Sequence, residues 1–165
     1  MAKMMSPNTT IWWVADPTYN PDTPSAALLT NARNISCAIV SGYTLNATDS
    51  DTDDSTSICD GANAGVPTFY NYEGNLTFFR DADVIATTSD FAKAFAFFKN
   101  GKAEGYLVRR VGYPSTQAAA AGQKVSSYKF ISDNPQDAVE DGGPVQYTVP
   151  FLPQGKMALS KTLVA

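Results

Sequence analysis

The densest group of side chains that could do chemistry is the acidic run from Asp49 to Asp60. It reads Asp-Ser-Asp-Thr-Asp-Asp-Ser-Thr-Ser-Ile-Cys-Asp and places carboxylates at positions 1, 3, 5 and 12. Oxygen ligands at this spacing are typical of the calcium-binding loop of an EF-hand. The run lacks the glycine at position 6, the glutamate at position 12 and the flanking helices of such a loop. It therefore predicts a solvated acidic loop, with a calcium site formed by Asp49, Asp51, Asp53 and Asp60 as the alternative.

The rest of the composition is poor in catalytic groups. The chain has no histidine, which removes the commonest general base and every Ser-His or Cys-His arrangement. Its two cysteines, Cys37 and Cys59, are too few for a zinc site or a disulfide framework, and we expect free thiols. No glycine-rich phosphate loop or nucleophile elbow occurs. The sequence therefore argues against an enzyme and predicts no cofactor.

The charge of the chain, −4 overall, is unevenly distributed. Residues 34–79 contain six acids and no base, whereas residues 80–129 contain eight bases and four acids. No basic field is available to hold nucleic-acid phosphates, and no apolar run approaches the length of a membrane span. This uneven distribution of charge has two interpretations. Either the charges are ordinary surface groups, or two surfaces of opposite sign let copies of the chain recognise each other.

Proline and apolar patterns predict extended segments at both ends. Residues 1–34 contain four prolines and one short apolar strand at 11–15, which predicts an extended N-terminal arm. Trp12 and Trp13 would point to opposite faces of that strand. One of them is then expected to contact a neighbouring copy, and core packing from both sides is the alternative. Residues 154–165 predict a C-terminal arm or a further strand.

The segments between the ends read mostly as strands. Apolar, β-branched and aromatic patterns predict strands at 35–45, 69–80, 104–112, 124–132 and 144–153. The stretch 46–67 has few apolar residues and predicts a long acidic loop.

One helix is expected among these strands. Phe91, Ala94, Phe95 and Phe98 share one helical face, after a capping residue at Thr88 or Ser89 and before Gly101. Residues 1–165 therefore predict a single, mainly β (α+β) domain. We expect an antiparallel β-sandwich or barrel with one packed helix and extended termini.

The order of these segments resembles the major tail tube proteins of long-tailed, siphovirus-type bacteriophages, especially those that infect actinobacteria. The resemblance covers roughly residues 25–153 and is carried by three stretches. These are the aromatic strand that ends Phe-Phe-Arg-Asp81, the alanine- and phenylalanine-rich helix at 90–98, and the Gly-Tyr-Leu strand at 104–112.

This resemblance implies a virion structural protein without catalytic residues. Six copies would close into a ring, and rings would stack into a hollow tail tube around a tape-measure protein. Double-stranded DNA would pass through without specific binding, and tail-tip and tail-terminator proteins would be further partners. The protein would be made in the host bacterial cytoplasm and would not contact a membrane. A head–tail connector or the inner tube of a contractile machine is an alternative within the virion. The alternative from another class of protein is a calcium-dependent β-sandwich binding module that uses the Asp49–Asp60 loop.

The resemblance also implies that the long loop and the two termini reach neighbouring subunits. We therefore expect an acidic surface on one copy to meet a basic surface on the next. The expected interface residues are Trp12 and Trp13 of the arm, Asp49, Asp51, Asp53 and Asp54 of the loop, and Lys99, Lys102, Arg109 and Arg110 of the basic region.

Overall fold

The computed structural model describes residues 8–138 and 142–165 of the chain. Its elements, in chain order, are β1 (Thr9–Val14), α1 (Ala26–Asn31), β2 (Arg33–Asn34), a 3₁₀ turn (Ser36–Ala38), β3 (Thr44–Asp54), β4 (Gly65–Phe79), α2 (Asp90–Phe98), β5 (Glu104–Val111), β6 (Lys124–Ser132), β7 (Gln136–Asp137) and β8 (Gln146–Thr162). These strands form one sheet in the order β2-β1-β5-β6-β8-β4-β3, with β7 beside β8. Each pair of strands is antiparallel. The predicted mainly β, antiparallel fold is confirmed.

The sheet curls around one large apolar core. β3 is the last strand in this order and β1 is the second, yet Leu45 of β3 and Trp13 of β1 belong to the same core. The helix α2 packs over it and places the Phe98 ring 5.2 Å from the Trp13 ring. This helix has the predicted position and cap, since Ser89 Oγ accepts a hydrogen bond from the Ala92 N–H at 3.1 Å. One sheet and one helix thus enclose the core that the aromatic strands supply.

The predicted N-terminal arm at 1–34 is corrected by the structure as far as it describes it, and of the two expectations for residues 154–165 the structure has the strand and not the arm. From residue 8 onward the N-terminal segment forms β1, β2 and a short helix that was not predicted, α1, whose Leu29 is buried in a second, smaller core. At the other end β8 occupies most of the C-terminal segment, and the Val164 N–H donates to the Pro24 carbonyl at 2.9 Å. Pro17 and Pro21 therefore lie in turns between short elements, and the apolar residues near them hold both ends against the sheet.

Two internal segments also differ from their sequence-based assignments. Residues 35–45, predicted as a strand, contain the 3₁₀ turn, meet β4 at an isolated bridge between Ile39 and Phe78, and enter β3 only at Thr44. Ile35 and Ala38 are buried all the same, so these apolar residues indicate burial in an irregular segment and not a strand. Residues 46–67, predicted as a loop, are mostly the end of β3 and the start of β4. Neither face of these strands is buried, so their composition is polar and shows no apolar pattern that predicts a strand.

Candidate assembly surface

β3 and β4 form a hairpin whose outer half projects from the sheet. β4 pairs with β3 from Gly65 onward but with β8 only from Gly74. The outer hairpin, residues 49–70, is therefore two-stranded, and nearly all of its side chains are exposed. We call residues 49–70 the ribbon and its turn, residues 55–64, the tip. An isolated two-stranded hairpin is at best marginally stable in water, so a partner surface would stabilise the ribbon.

The four aspartates predicted for the interface all lie on the ribbon. Asp49, Asp51, Asp53 and Asp54 are exposed residues of β3. Hydrogen bonds from the side chain and backbone of Thr56 lower the pKa of Asp54. This keeps the Asp54 carboxylate charged well below neutral pH. Since residues 34–79 contain no lysine or arginine, the ribbon presents acidic groups without a compensating base.

The EF-hand-like spacing does not produce a calcium loop. Asp49, Asp51 and Asp53 lie on an extended strand, which cannot wrap around a cation as a loop does. Asp60 lies in the tip, where its carboxylate accepts a hydrogen bond from the Ser57 N–H at 2.7 Å. Within residues 8–138 and 142–165, no three His, Cys, Asp or Glu side chains gather as a possible metal site. The alternative set of calcium ligands is thereby corrected: the spacing belongs to a strand and its turn.

The ribbon is anchored to the body at Tyr72 and Gly74. Tyr72 Oη donates a hydrogen bond to the Lys129 carbonyl at 2.6 Å and accepts one from the Lys156 N–H at 3.1 Å. A Cβ on Gly74 would lie 2.7 Å from Cζ of Phe130, which is closer than real side chains approach. These contacts fix the point at which the hairpin leaves the sheet.

The four predicted basic residues do not form one patch. Lys99 and Lys102 are exposed at the end of α2. Arg109 is half-buried, and its Nη1 donates to the Leu45 carbonyl at 2.7 Å. Arg110 is 0% exposed. The two lysines are therefore the members of this set that present their charge to a neighbouring molecule.

The two tryptophans predicted for the interface are buried within the chain. Trp12 and Trp13 are 4% and 2% exposed. Trp13 belongs to the main core, and Trp12 belongs to the smaller core, where the Arg110 guanidinium lies 4.9 Å from its ring. Core packing from both sides, the alternative given above, accounts for both side chains. Neither leaves a surface for a neighbouring copy to contact.

A basic groove that the sequence analysis did not identify lies between α2 and residues 80–87. It encloses about 520 Å³, and its charged lining residues are the bases Arg33, Arg80, Lys93 and Lys99 and the acids Asp81 and Asp83. We call it the α2 groove. No local pattern could have revealed it, because Arg33 comes from β2 at one edge of the sheet while the other residues surround α2. The fold brings these distant parts of the chain together.

Comparison with known proteins gives one family. In the part of the chain that the structure describes, no helix is long and apolar enough to cross a membrane. A search of curated proteins finds no match. A family model described as "Phage tail tube protein" matches residues 1–165, the whole chain. The chain therefore belongs to the phage tail tube protein family and is a structural component of the virion tail.

Proposed function

We propose that six copies of this protein close into a ring and that the rings stack into the hollow tube of a long-tailed phage. The ribbon is the observation that carries this proposal. It exposes the large apolar side chains of Ile58, Val66, Phe69 and Tyr70 on a two-stranded hairpin. Such a surface gains stability from a partner, and a tail tube offers every copy an identical neighbour.

The separation of the ribbon from the basic residues favours head-to-tail assembly. A contact between two different surfaces of the same chain generates a closed ring or an open filament, according to whether its rotation closes. A tube of stacked rings needs contacts of this kind along its axis. We place the acidic groups of Asp49, Asp51, Asp53 and Asp54 of one copy against Lys99 and Lys102 of the next. Opposite potentials on the two surfaces set the register of such a contact.

The overall charge supports a conduit through which DNA moves without being held. At −4 per chain, the protein has no net positive field to release counterions from DNA phosphates, which is the main source of non-specific DNA affinity. We accordingly assign double-stranded DNA a transient passage through the lumen. The proposed assembly partners are a tape-measure protein inside the tube and tail-tip and tail-terminator proteins at its ends. Synthesis would take place in the cytoplasm of the host bacterium.

The direct test is negative-stain electron microscopy of the concentrated purified protein, alone and with the tail-tip complex of its phage. We expect hollow tubes of stacked rings, with six subunits in end-on class averages. A protein that stays monomeric under both conditions, as measured by sedimentation velocity, would contradict the proposal. Rings with another subunit number would keep the tube and correct the symmetry.

A further inference from the structure

The α2 groove is an open recess with apolar side chains exposed at its edge. Its volume of about 520 Å³ lies within the roughly 300–1,000 Å³ of natural binding pockets. Val84, which lines the groove, and the adjacent Ile85 are 85% and 82% exposed. Phe97 on α2 adds a partly exposed aromatic ring to the lining. Large apolar groups left in water beside a recess mark an interaction surface.

The two arginines of the groove are held in place without a carboxylate partner. The Arg80 guanidinium lies 3.5 Å from the centroid of the Phe95 ring, and that of Arg33 lies 4.4 Å from the centroid of Phe97. Neither arginine, nor Lys93, forms an ion pair with a carboxylate that the structure describes. Stacking on an aromatic ring orients a guanidinium and leaves its N–H groups free to bind an anion.

The acids of the groove, by contrast, are occupied by internal hydrogen bonds. The Asp81 carboxylate accepts hydrogen bonds from Ser89 Oγ and from the Asp83 N–H, and these bonds lower the pKa of Asp81. The Asp83 carboxylate accepts the Ile85 N–H at 3.1 Å. The four bases that line the groove outnumber these two acids, which leaves the groove with an excess of positive charge. The groove therefore favours an occupant that combines negative charge with an apolar group.

The tip of the ribbon has this combination. Ile58 is fully exposed at the tip, between Asp54 at the end of β3 and Asp60 in the turn. We propose that the tip of one copy docks into the α2 groove of the next copy, a contact that rests on the proposed tube function. Ile58 would pack beside Val84 and Phe97, and the flanking carboxylates would meet the stacked arginines.

The contact must join two copies. Within one chain Ile58 remains fully exposed, and the lining of the groove contains no residue of the ribbon. A tip-to-groove contact is also head-to-tail, so each copy gives its tip to one neighbour and receives the tip of another. Repetition of this contact links an unlimited series of copies or closes a ring.

The test is cross-linking through the native thiol of the tip. Cys59 is exposed next to Ile58, and Cys37 is the other exposed thiol. A C37S/V84C double variant keeps one thiol on the tip and adds one at the groove. Mild oxidation of the concentrated protein should yield a ladder of covalently linked chains that extends beyond dimers on a non-reducing gel. The matched control is C37S/L159C, because Leu159 is exposed on β8 and does not line the groove; it should give no such ladder.

The outcomes separate this contact from the tube itself, since the same samples are imaged under reducing conditions. Tubes combined with a ladder from the groove variant alone support both proposals. Tubes without a ladder, or with equal ladders from the two variants, overturn the contact and leave the tube function standing. A ladder without tubes or rings supports the contact and contradicts the tube. A pattern that stops at dimers also overturns the contact, because it indicates a twofold arrangement.

Discussion

Arg110 shows how a residue predicted for an interface serves the interior of the protein. Its Nη1 donates to Gln123 Oε1 at 2.8 Å, and its Nη2 donates to Thr10 Oγ1 at 2.9 Å and to the Gln117 carbonyl at 2.7 Å. Further hydrogen bonds reach the carbonyls of Pro114 and Ala118. Burial lowers the pKa of Arg110, and these neutral acceptors compensate for the lost hydration. The guanidinium thus ties the loop after β5 to β1.

Replacing Arg110 should therefore destabilise the fold strongly. We expect Arg110→Met to lower the free energy of unfolding by about 2–5 kcal/mol, because each buried acceptor left without a donor costs roughly 1–3 kcal/mol. Arg109→Met is the matched control, since the adjacent arginine donates one hydrogen bond, to the Leu45 carbonyl. The Arg109→Met substitution should lower the free energy of unfolding by about 1 kcal/mol. Urea unfolding followed by circular dichroism measures both, and equal losses would contradict the role given to Arg110.

Tyr19 gives the protein a pH-dependent stability at the alkaline end. Its Oη shares a buried hydrogen bond of 2.7 Å with Ser127 Oγ, and burial raises the pKa of Tyr19 from 10.0 to about 12. The unfolded chain then releases this proton at lower pH than the folded chain does. This difference in pKa stabilises the fold in full below the unfolded-state pKa of 10.0. The free energy of unfolding then falls as the pH rises from about 10 to 12.

The expected measurement is the urea midpoint as a function of pH for the wild type and Tyr19→Phe. The variant should be less stable at neutral pH, because Ser127 loses its partner, and its stability should fall less steeply in the alkaline range. Part of the slope remains in the variant, since burial also raises the pKa of Tyr147. Parallel curves for the two proteins would show that Tyr19 does not titrate as described.

At the scale of elements, the sequence predicted best what local periodicity determines. The helix α2 could be located because four apolar residues, a cap and a terminal glycine all agree over a short stretch. The ribbon could not, because its strands are solvated on both faces and carry no alternation for a pattern to show. The two tryptophans were ambiguous for the opposite reason: β1 is covered on both faces by different cores. The α2 groove depends on Arg33 meeting α2, which only the tertiary fold decides.

The acidic ribbon is the element whose charge we expect to drive assembly. The D49N/D51N/D53N/D54N variant should keep the fold, because asparagine retains an oxygen that can accept the hydrogen bonds from Asn71 and Thr56. It should form few or no tubes in electron micrographs while its circular dichroism spectrum stays that of the wild type. The D22N/D137N variant, which removes two exposed acids elsewhere, is the control and should assemble. Tubes of normal length from the ribbon variant would contradict the role of these charges.

At the scale of the whole molecule, two electrostatic effects of opposite sign act on assembly. Each copy carries a net charge of −4, so copies repel one another at a distance. The acidic ribbon of one copy and the basic residues of the next attract each other when the two copies are in contact. The two effects differ in range. At 0.1 M salt the Debye length is about 10 Å, so the repulsion between whole subunits is already largely screened. Charges that lie a few ångströms apart are screened only when the Debye length approaches about 3 Å, near 1 M salt.

Raising the salt concentration from about 0.1 to 1 M should therefore remove attraction rather than repulsion and dissociate the tubes. The measurement is the fraction of protein pelleted by ultracentrifugation at each salt concentration, with circular dichroism to show that the fold persists. Folding should be nearly insensitive, because the described residues contain two ion pairs, Lys129–Glu104 and Lys161–Asp22, both solvent-accessible. A pelleted fraction that stays constant or grows with salt would show that apolar contacts such as that of Ile58 dominate the interface. In that case the ribbon's apolar side chains, and not its aspartates, would determine how one copy recognises the next.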